Sequence, residues 1–215
     1  MTCYDTAMST SSRTVLMQQA ADHLKAHDPL LGQVIREVGL CTIEPHTNYY
    51  QELVDSIISQ QLSIKAAASI LKRFRQLFDN QLPTPAQILT KDVDELRAVG
   101  LSRAKALYVQ DLARHILDGT VRIEQLPNLS NEEVIAELTA VKGIGEWTAH
   151  MFLMFSLGRL DILATGDLGV RNGVKKVYNL PDTPTPIEVR EVSLKNHWAP
   201  YESIACWYMW QALTL

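Results

Sequence analysis

The sequence predicts an all-α protein, two packed helical lobes with a crevice between them. Three observations carry the helical part of that expectation. Apolar residues recur at helical spacing along almost the whole chain, as where Ile64, Ala67, Ala68, Leu71, Phe74 and Phe78 line up as one expected buried face. Helix start signals repeat: Ser130 with Glu133 and Thr185 with Glu188 fit the capping box, and Pro186 takes a first helical position. Strand-like alternation is confined to Thr120–Leu126, and one such run cannot build a sheet.

In chain order, residues 1–12 are small, polar and without period, and read as a disordered tail. Residues 13–215 read as a single domain of two helical subdomains. Helical periodicity places helices near 14–27, 29–38 and 47–60, and the stripe through Phe74 places the next at 63–79. A polar linker near 80–85 precedes expected helices at 91–98 and 102–118. The two capping boxes open helices at 130–141 and 186–196, with 146–157 and 168–178 between them and 200–213 closing the chain. The linkers at 80–85 and 180–186 are too short to separate free domains.

With 215 residues, 47% of them hydrophobic, the chain can bury a real core. The apolar stretch Met151–Leu157 falls far short of the roughly 20 residues a bilayer requires, and no basic-then-apolar leader opens the chain. An intracellular protein with no membrane association is therefore expected. Cys3, Cys41 and Cys206 lie far apart, which suits neither a disulfide framework nor a zinc or iron-sulfur site. The net charge of -4 lacks the basic footprint of a nucleic-acid binder, so any DNA-binding surface must be local.

The most informative segment is Leu138-Thr-Ala-Val-Lys-Gly-Ile-Gly-Glu-Trp-Thr-Ala149, where one helix runs into Gly143-Ile144-Gly145 and another leaves at once. Glycine at both places admits a tight hairpin and close approach of a ligand to the main chain. The amides opening the second helix then form a small anion site, while Ile144 anchors the turn in the core. For a bare Gly-x-Gly, a plain αα-hairpin with a glycine cap is the favoured explanation.

The longer string Val-Lys-Gly-Ile-Gly-Glu-Trp-Thr-Ala resembles the signature hairpin of the helix-hairpin-helix DNA glycosylases, in the 3-methyladenine DNA glycosylase II branch. Three further segments resemble that family in the same order: Leu53–Ser63, Val99–Val109 and Trp198–Trp210. The resemblance implies a monofunctional enzyme that flips an alkylated purine out of damaged double-stranded DNA and hydrolyses its glycosidic bond. It implies a catalytic carboxylate at Asp167, with Asp161 not catalytic. Taken alone, Asp167 before a helix is a helix N-cap, and both roles can hold together. It places Trp147, Trp210 and Met151 in the base pocket, with Trp207 and Tyr208 read as core. Gln61, with Leu62, stands where the family inserts a wedge into the gap left by the flipped nucleotide; a turn glutamine that merely caps a helix is the competing explanation.

Phosphate contacts are expected from Lys142, Gly143, Ile144, Gly145, Thr148 and Arg171, with Lys105 and Lys175 near the DNA. Bifunctional relatives carry a lysine nucleophile two residues after the second hairpin glycine, where this chain has Trp147. The resemblance therefore implies attack by water, no catalytic metal and a structural monovalent cation at the hairpin when DNA is bound; the missing cysteine cluster argues against an iron-sulfur cluster, and a monomer is expected. Glu202 in place of an arginine, Met151 in place of an aromatic and Thr165 in place of a proline depart from the family pattern and bear on lesion choice. His150 and His197 are lone histidines read as structural. A bifunctional glycosylase and lyase, a silent DNA-binding module and a protein-binding helical scaffold are the alternatives.

Overall fold

A burial pattern that runs all round one helix fixes the centre of the first of two compact units. The computed structural model describes residues 10–46 and 48–215. The described residues form two compact units, one of residues 10–45 together with Leu153–Leu215, and another of His46–Phe152. The described residues form twelve α-helices and one 3-10 turn, with no strand among them.

The first unit holds α1 (Thr10–His27), α2 (Pro29–Val38), α10 (Leu168–Val177), α11 (Pro186–Lys195) and α12 (Glu202–Ala212). Helix α12 buries Ser203 to Met209 without a break, the pattern of a helix enclosed on every side. Helices α1, α2 and α10 pack around it, and the Tyr208 hydroxyl donates to the Gly39 carbonyl at 2.9 Å. Trp207 and Tyr208 are core residues, as the sequence suggests. Because α1 begins at Thr10, residues Thr10–Ser12 are helical and not part of a disordered tail; residues 1–9 lie outside the described residues.

A buried carboxylate ties this unit together. Asp28 is 1% exposed and caps α2 by accepting the Leu31 amide at 3.0 Å. Its second oxygen accepts the Trp198 indole N–H at 2.9 Å and the Tyr178 hydroxyl. The Tyr178 phenol is pushed far up, first by burial and then by this carboxylate, so it remains a donor.

The second unit holds α3 (Tyr49–Ser59), α4 (Ile64–Gln76), α5 (Pro85–Leu89), α6 (Val93–Ala98), α7 (Arg103–Leu117) and α8 (Asn131–Thr139). Helix α9 (Glu146–Phe155) begins in this unit and ends in the other. Helix α7 is its axis: α3, α5 and α6 pack on it, and Ala106, Val109, Leu112 and Ala113 are buried. The expected capping boxes at Ser130–Glu133 and Thr185–Glu188 are present, and two more occur at Thr84–Gln87 and Asp92–Glu95. The run Thr120–Leu126 is no strand; Ile123–Asn128 is a 3-10 turn, with Arg122 held to the Glu137 carboxylate. The stripe on α4 is buried only in part. Ala67, Phe74 and Phe78 are buried, but Ala68 is exposed and Ile64 is 91% exposed, because the helix presents its first turn to solvent.

Replacing Asp28 by Ala strands the Trp198 and Tyr178 donors in the core. Since a hydrogen bond to a charged group contributes about 1.5–3 kcal/mol, Asp28→Ala should destabilise the protein by several kcal/mol in urea titration, and Asp28→Asn by less.

Candidate active site and hairpin

The carboxylate of Asp167 is held by its own helix and by a neighbour. It caps α10, accepting the Val170 amide on Oδ1 at 2.7 Å. The Trp210 indole N–H, from α12, reaches the same oxygen at 2.8 Å. Two donors on one oxygen fix the rotation of the carboxylate, and hydrogen bonds to an ionised acceptor are the stronger kind. The side chain is half-buried.

This approach depends on two glycines one turn apart on α10. A Cβ at Gly169 would lie 2.7 Å from the Trp210 ring and 3.0 Å from Asp167 Oδ1, and one at Gly173 would lie 2.2 Å from the Met209 carbonyl oxygen. Only residues without a side chain let α10 and α12 come this close. The loop leading to Asp167 is strapped to the start of α12, because the Ile162 amide donates to Ser203 Oγ at 3.0 Å and the Ser203 amide to the Leu160 carbonyl at 2.8 Å.

Trp210 stacks on Phe155, ring centroids 5.8 Å apart at 26°. Phe155 is an aromatic that the sequence reading missed, although Trp147, Met151 and Phe155 fall at i, i+4 and i+8 along α9. Trp147 is 52% exposed and Met151 half-buried. Glu202 opens α12; burial, and after it Asp161, pushes its carboxyl up from the usual range. Asp161 is exposed.

The hairpin of the second unit is seated on α7. Gly143 has φ 89°, and a Cβ there would lie 2.2 Å from the Tyr108 ring. The Lys142 amide donates to Asp111 Oδ2 at 2.9 Å, and Asp111 is 8% exposed. Ile144 is buried and its amide donates to the Val141 carbonyl at 3.1 Å, so it anchors the turn and its N–H is not offered to a phosphate. Gly145 is different: nothing lies within 4 Å of a Cβ there, and its backbone is outside the left-handed region. The Gly145 carbonyl begins α9 by accepting the Ala149 amide at 3.0 Å, and the first-turn amides beyond it are those a helix cannot satisfy internally.

Other expected contacts are modified by the geometry. Lys142 is exposed, but the Thr148 side chain is 7% exposed, which leaves it as a hairpin packing residue. The Arg171 Nε donates to the Pro184 carbonyl at 2.6 Å, so part of its guanidinium holds a loop. Lys105 is not a free surface cation: its ammonium donates to the carbonyls of Ile58 at 2.9 Å and Gln60 at 2.6 Å. Gln61 has φ 56° and is exposed, and Leu62 is 38% exposed. Among the described residues no group of three His, Cys, Asp or Glu is arranged to hold a metal ion.

Residues 54–199 match the family described as HhH-GPD superfamily base excision DNA repair protein. The chain belongs to this superfamily. DNA-3-methyladenine glycosylase 1 of Schizosaccharomyces pombe is 40% identical over 168 residues, covering 77% of this chain and 73% of that protein. The solved structure of S. pombe 3-methyladenine DNA glycosylase in complex with abasic DNA has a TM-score of 0.78 at 36% identity, covering 92% of this chain and 97% of that one. A DNA-3-methyladenine glycosidase from Bacillus halodurans has a TM-score of 0.81 at 39% identity, covering 90% and 88%. Gly143-Ile144-Gly145 and Asp167 both lie within the matched residues.

The two hairpin glycines should respond in opposite ways. Gly143→Ala forces a left-handed side chain against Tyr108, at a cost of about 2 kcal/mol or more from backbone and overpacking together. Gly145→Val should melt within a degree or two of the parent in a thermal scan. Equal losses at both positions would show that Gly145 is packed like Gly143.

Proposed function

We propose that the protein is a monofunctional DNA glycosylase: it extrudes alkylated purines of the 3-methyladenine kind from damaged double-stranded DNA and hydrolyses the N-glycosidic bond. The product is an abasic site for base excision repair. The observation that carries this is the Asp167 carboxylate, fixed on Oδ1 by an amide and the Trp210 indole. The relatives named as 3-methyladenine glycosylases, one of them solved with abasic DNA, support it.

The chemistry follows from charge. Cleavage of the bond to an alkylated purine develops an oxocarbenium-like charge on the sugar, which a fixed carboxylate stabilises without having to reorient. Asp167 also orients or deprotonates the attacking water. The alkylated ring already bears positive charge and leaves as a neutral base, so one carboxylate suffices and no general acid is required. Trp210, with Phe155 stacked on it, offers aromatic ring faces to the base, and Trp147 and Met151 are the further positions that the family resemblance assigns to base contacts. Electron-rich ring faces favour a cationic base. Trp147 occupies the place of the lysine of bifunctional relatives and has no amine to form a Schiff base.

The Gly145 amide and the first turn of α9 bind a backbone phosphate, with Lys142 supplying charge beside it, and Arg171 and Lys175 are the DNA-facing cations of the first unit. Gln61 and Leu62 form the wedge. The enzyme has no resident cofactor; the hairpin carbonyls would hold a monovalent cation when DNA is bound, and that ion would supply positive charge toward the phosphate. Val141–Gly145 contains no carboxylate and offers only neutral carbonyl oxygens, a donor set suited to a weakly held ion. In this reading the protein works as a monomer inside the cell; no described helix is long and apolar enough to cross a membrane.

Duplexes carrying 3-methyladenine, 7-methylguanine, ethenoadenine or hypoxanthine test the proposal. Free base should be released from at least the alkylated purines, in chelator as well as without it. The strand should stay intact until alkali is added, with no adduct trapped by borohydride. A trapped adduct and a nick without alkali would make the enzyme bifunctional. Binding without release of any of the four bases would leave a silent DNA-binding module.

A further inference from the structure

The turn that carries Gln61 is held from three sides by groups with no other evident task. Helix α3 ends at Ser59, and the Gln60 amide closes it onto Ser56 at 3.2 Å. The carbonyls of Ile58 and Gln60 lie beyond the reach of helical amides, and the Lys105 ammonium donates to both. A cation at a helix C-terminus also meets the negative end of its dipole. The Lys105 ammonium gives up hydration to do so, and burial lowers its pKa. From the same turn, the Gln60 side chain donates Nε2 to the Gly143 carbonyl at 2.7 Å, joining it to the hairpin. Between these anchors Gln61 adopts φ 56°, a left-handed conformation that a residue with a Cβ takes only when its surroundings impose it.

One helix supplies the frame. Lys105, Tyr108 and Asp111 succeed one another at steps of three along α7: the first holds the Gln61 turn, the second abuts Gly143 and the third holds the Lys142 amide. Both loops expected to touch DNA are thus set by the first turns of a single rigid element within one unit.

We propose that Lys105 is a positioning residue for base extrusion: its bonds to the Ile58 and Gln60 carbonyls hold the turn so that Gln61 is presented to the gap left by the departing nucleotide. This rests on Gln61 acting as the wedge. Lys105 then contributes to extrusion and not to bond cleavage or phosphate binding, which separates it from the other cations near the DNA.

Single-turnover excision of 7-methylguanine is compared on two substrates, one with the lesion paired in duplex and one with it in a one-nucleotide bulge. In the bulge the base is already unpaired and a wedge has little to add. Lys105→Met should slow excision about tenfold or more from the paired site and far less from the bulge, since extrusion from a pair is where unstacking costs most. Gln61→Ala should show the same pattern, and the double variant should be no slower than the slower single one, as expected for residues acting through one element. The dependence of DNA affinity on salt should match the parent.

A phosphate-contacting lysine would instead lower the salt slope by about one and weaken binding to both substrates alike. That result, or equal slowing on both substrates, overturns the positioning role while leaving the wedge intact. Parental excision of the paired lesion by Gln61→Ala removes the wedge itself and the proposal with it. Should Lys105→Met fail to fold, Lys105→Gln, which keeps a donor and drops the charge, is carried through the same comparison.

Discussion

The close approach of α10 to α12 is the constraint from which the candidate active site follows. Gly169 and Gly173 remove the two side chains that would hold the helices apart, and the Trp210 indole can then reach the carboxylate that caps α10. The cap alone would fix Asp167 to its own helix; the indole fixes it to the most deeply buried helix of the unit. A group expected to stabilise charge must not swing away as charge develops, and such preorganisation is where electrostatic catalysis gains most. The buried Asp28, shared by α2, Tyr178 and Trp198, anchors the far end of α10 and the approach to α12 in the same way.

The other unit solves a different problem. A chain with net charge -4 must still meet a polyanion. In the proposed reading it does so through backbone amides and a few local cations, on a hairpin whose shape is set by α7. Gly143 is glycine because Tyr108 occupies the space of a side chain, whereas Gly145 is glycine where nothing on the protein does. The pattern Gly-x-Gly therefore contains two distinct demands, one internal and one facing outward.

Much of this was legible in the sequence. The hairpin string, the capping boxes and the long periodic helices were visible because each is written in consecutive residues. So was Asp167 as a cap, since capping depends on local order. Three kinds of feature were not. Short α5 was missed inside a polar stretch, although its Thr84–Gln87 box could have revealed it. The period of α4 gave a helix but not its burial, because whether Ile64 faces core or solvent depends on where neighbouring helices end. Contacts across the fold were out of reach: nothing near Lys105 in sequence indicates that its ammonium seeks the carbonyls of Ile58 and Gln60, and nothing near Phe155 indicates a stack on Trp210. Sequence shows the charges of Lys105 and Arg171 but not the carbonyl acceptors that each has found.

The central claim is that the charge of Asp167, and not its capping role, drives bond cleavage. Asp167→Asn separates the two, because the amide oxygen still accepts from Val170 and Trp210 while the negative charge is gone. The decisive measurement is its single-turnover rate of excision of an alkylated purine from duplex DNA, with Asp161→Asn as control and melting recorded alongside. The account predicts a rate loss on the order of a hundredfold to a thousandfold, near-parental melting and DNA affinity, and a control within a few-fold of the parent. Excision by Asp167→Asn at the parental rate would reduce Asp167 to a helix cap and contradict the account.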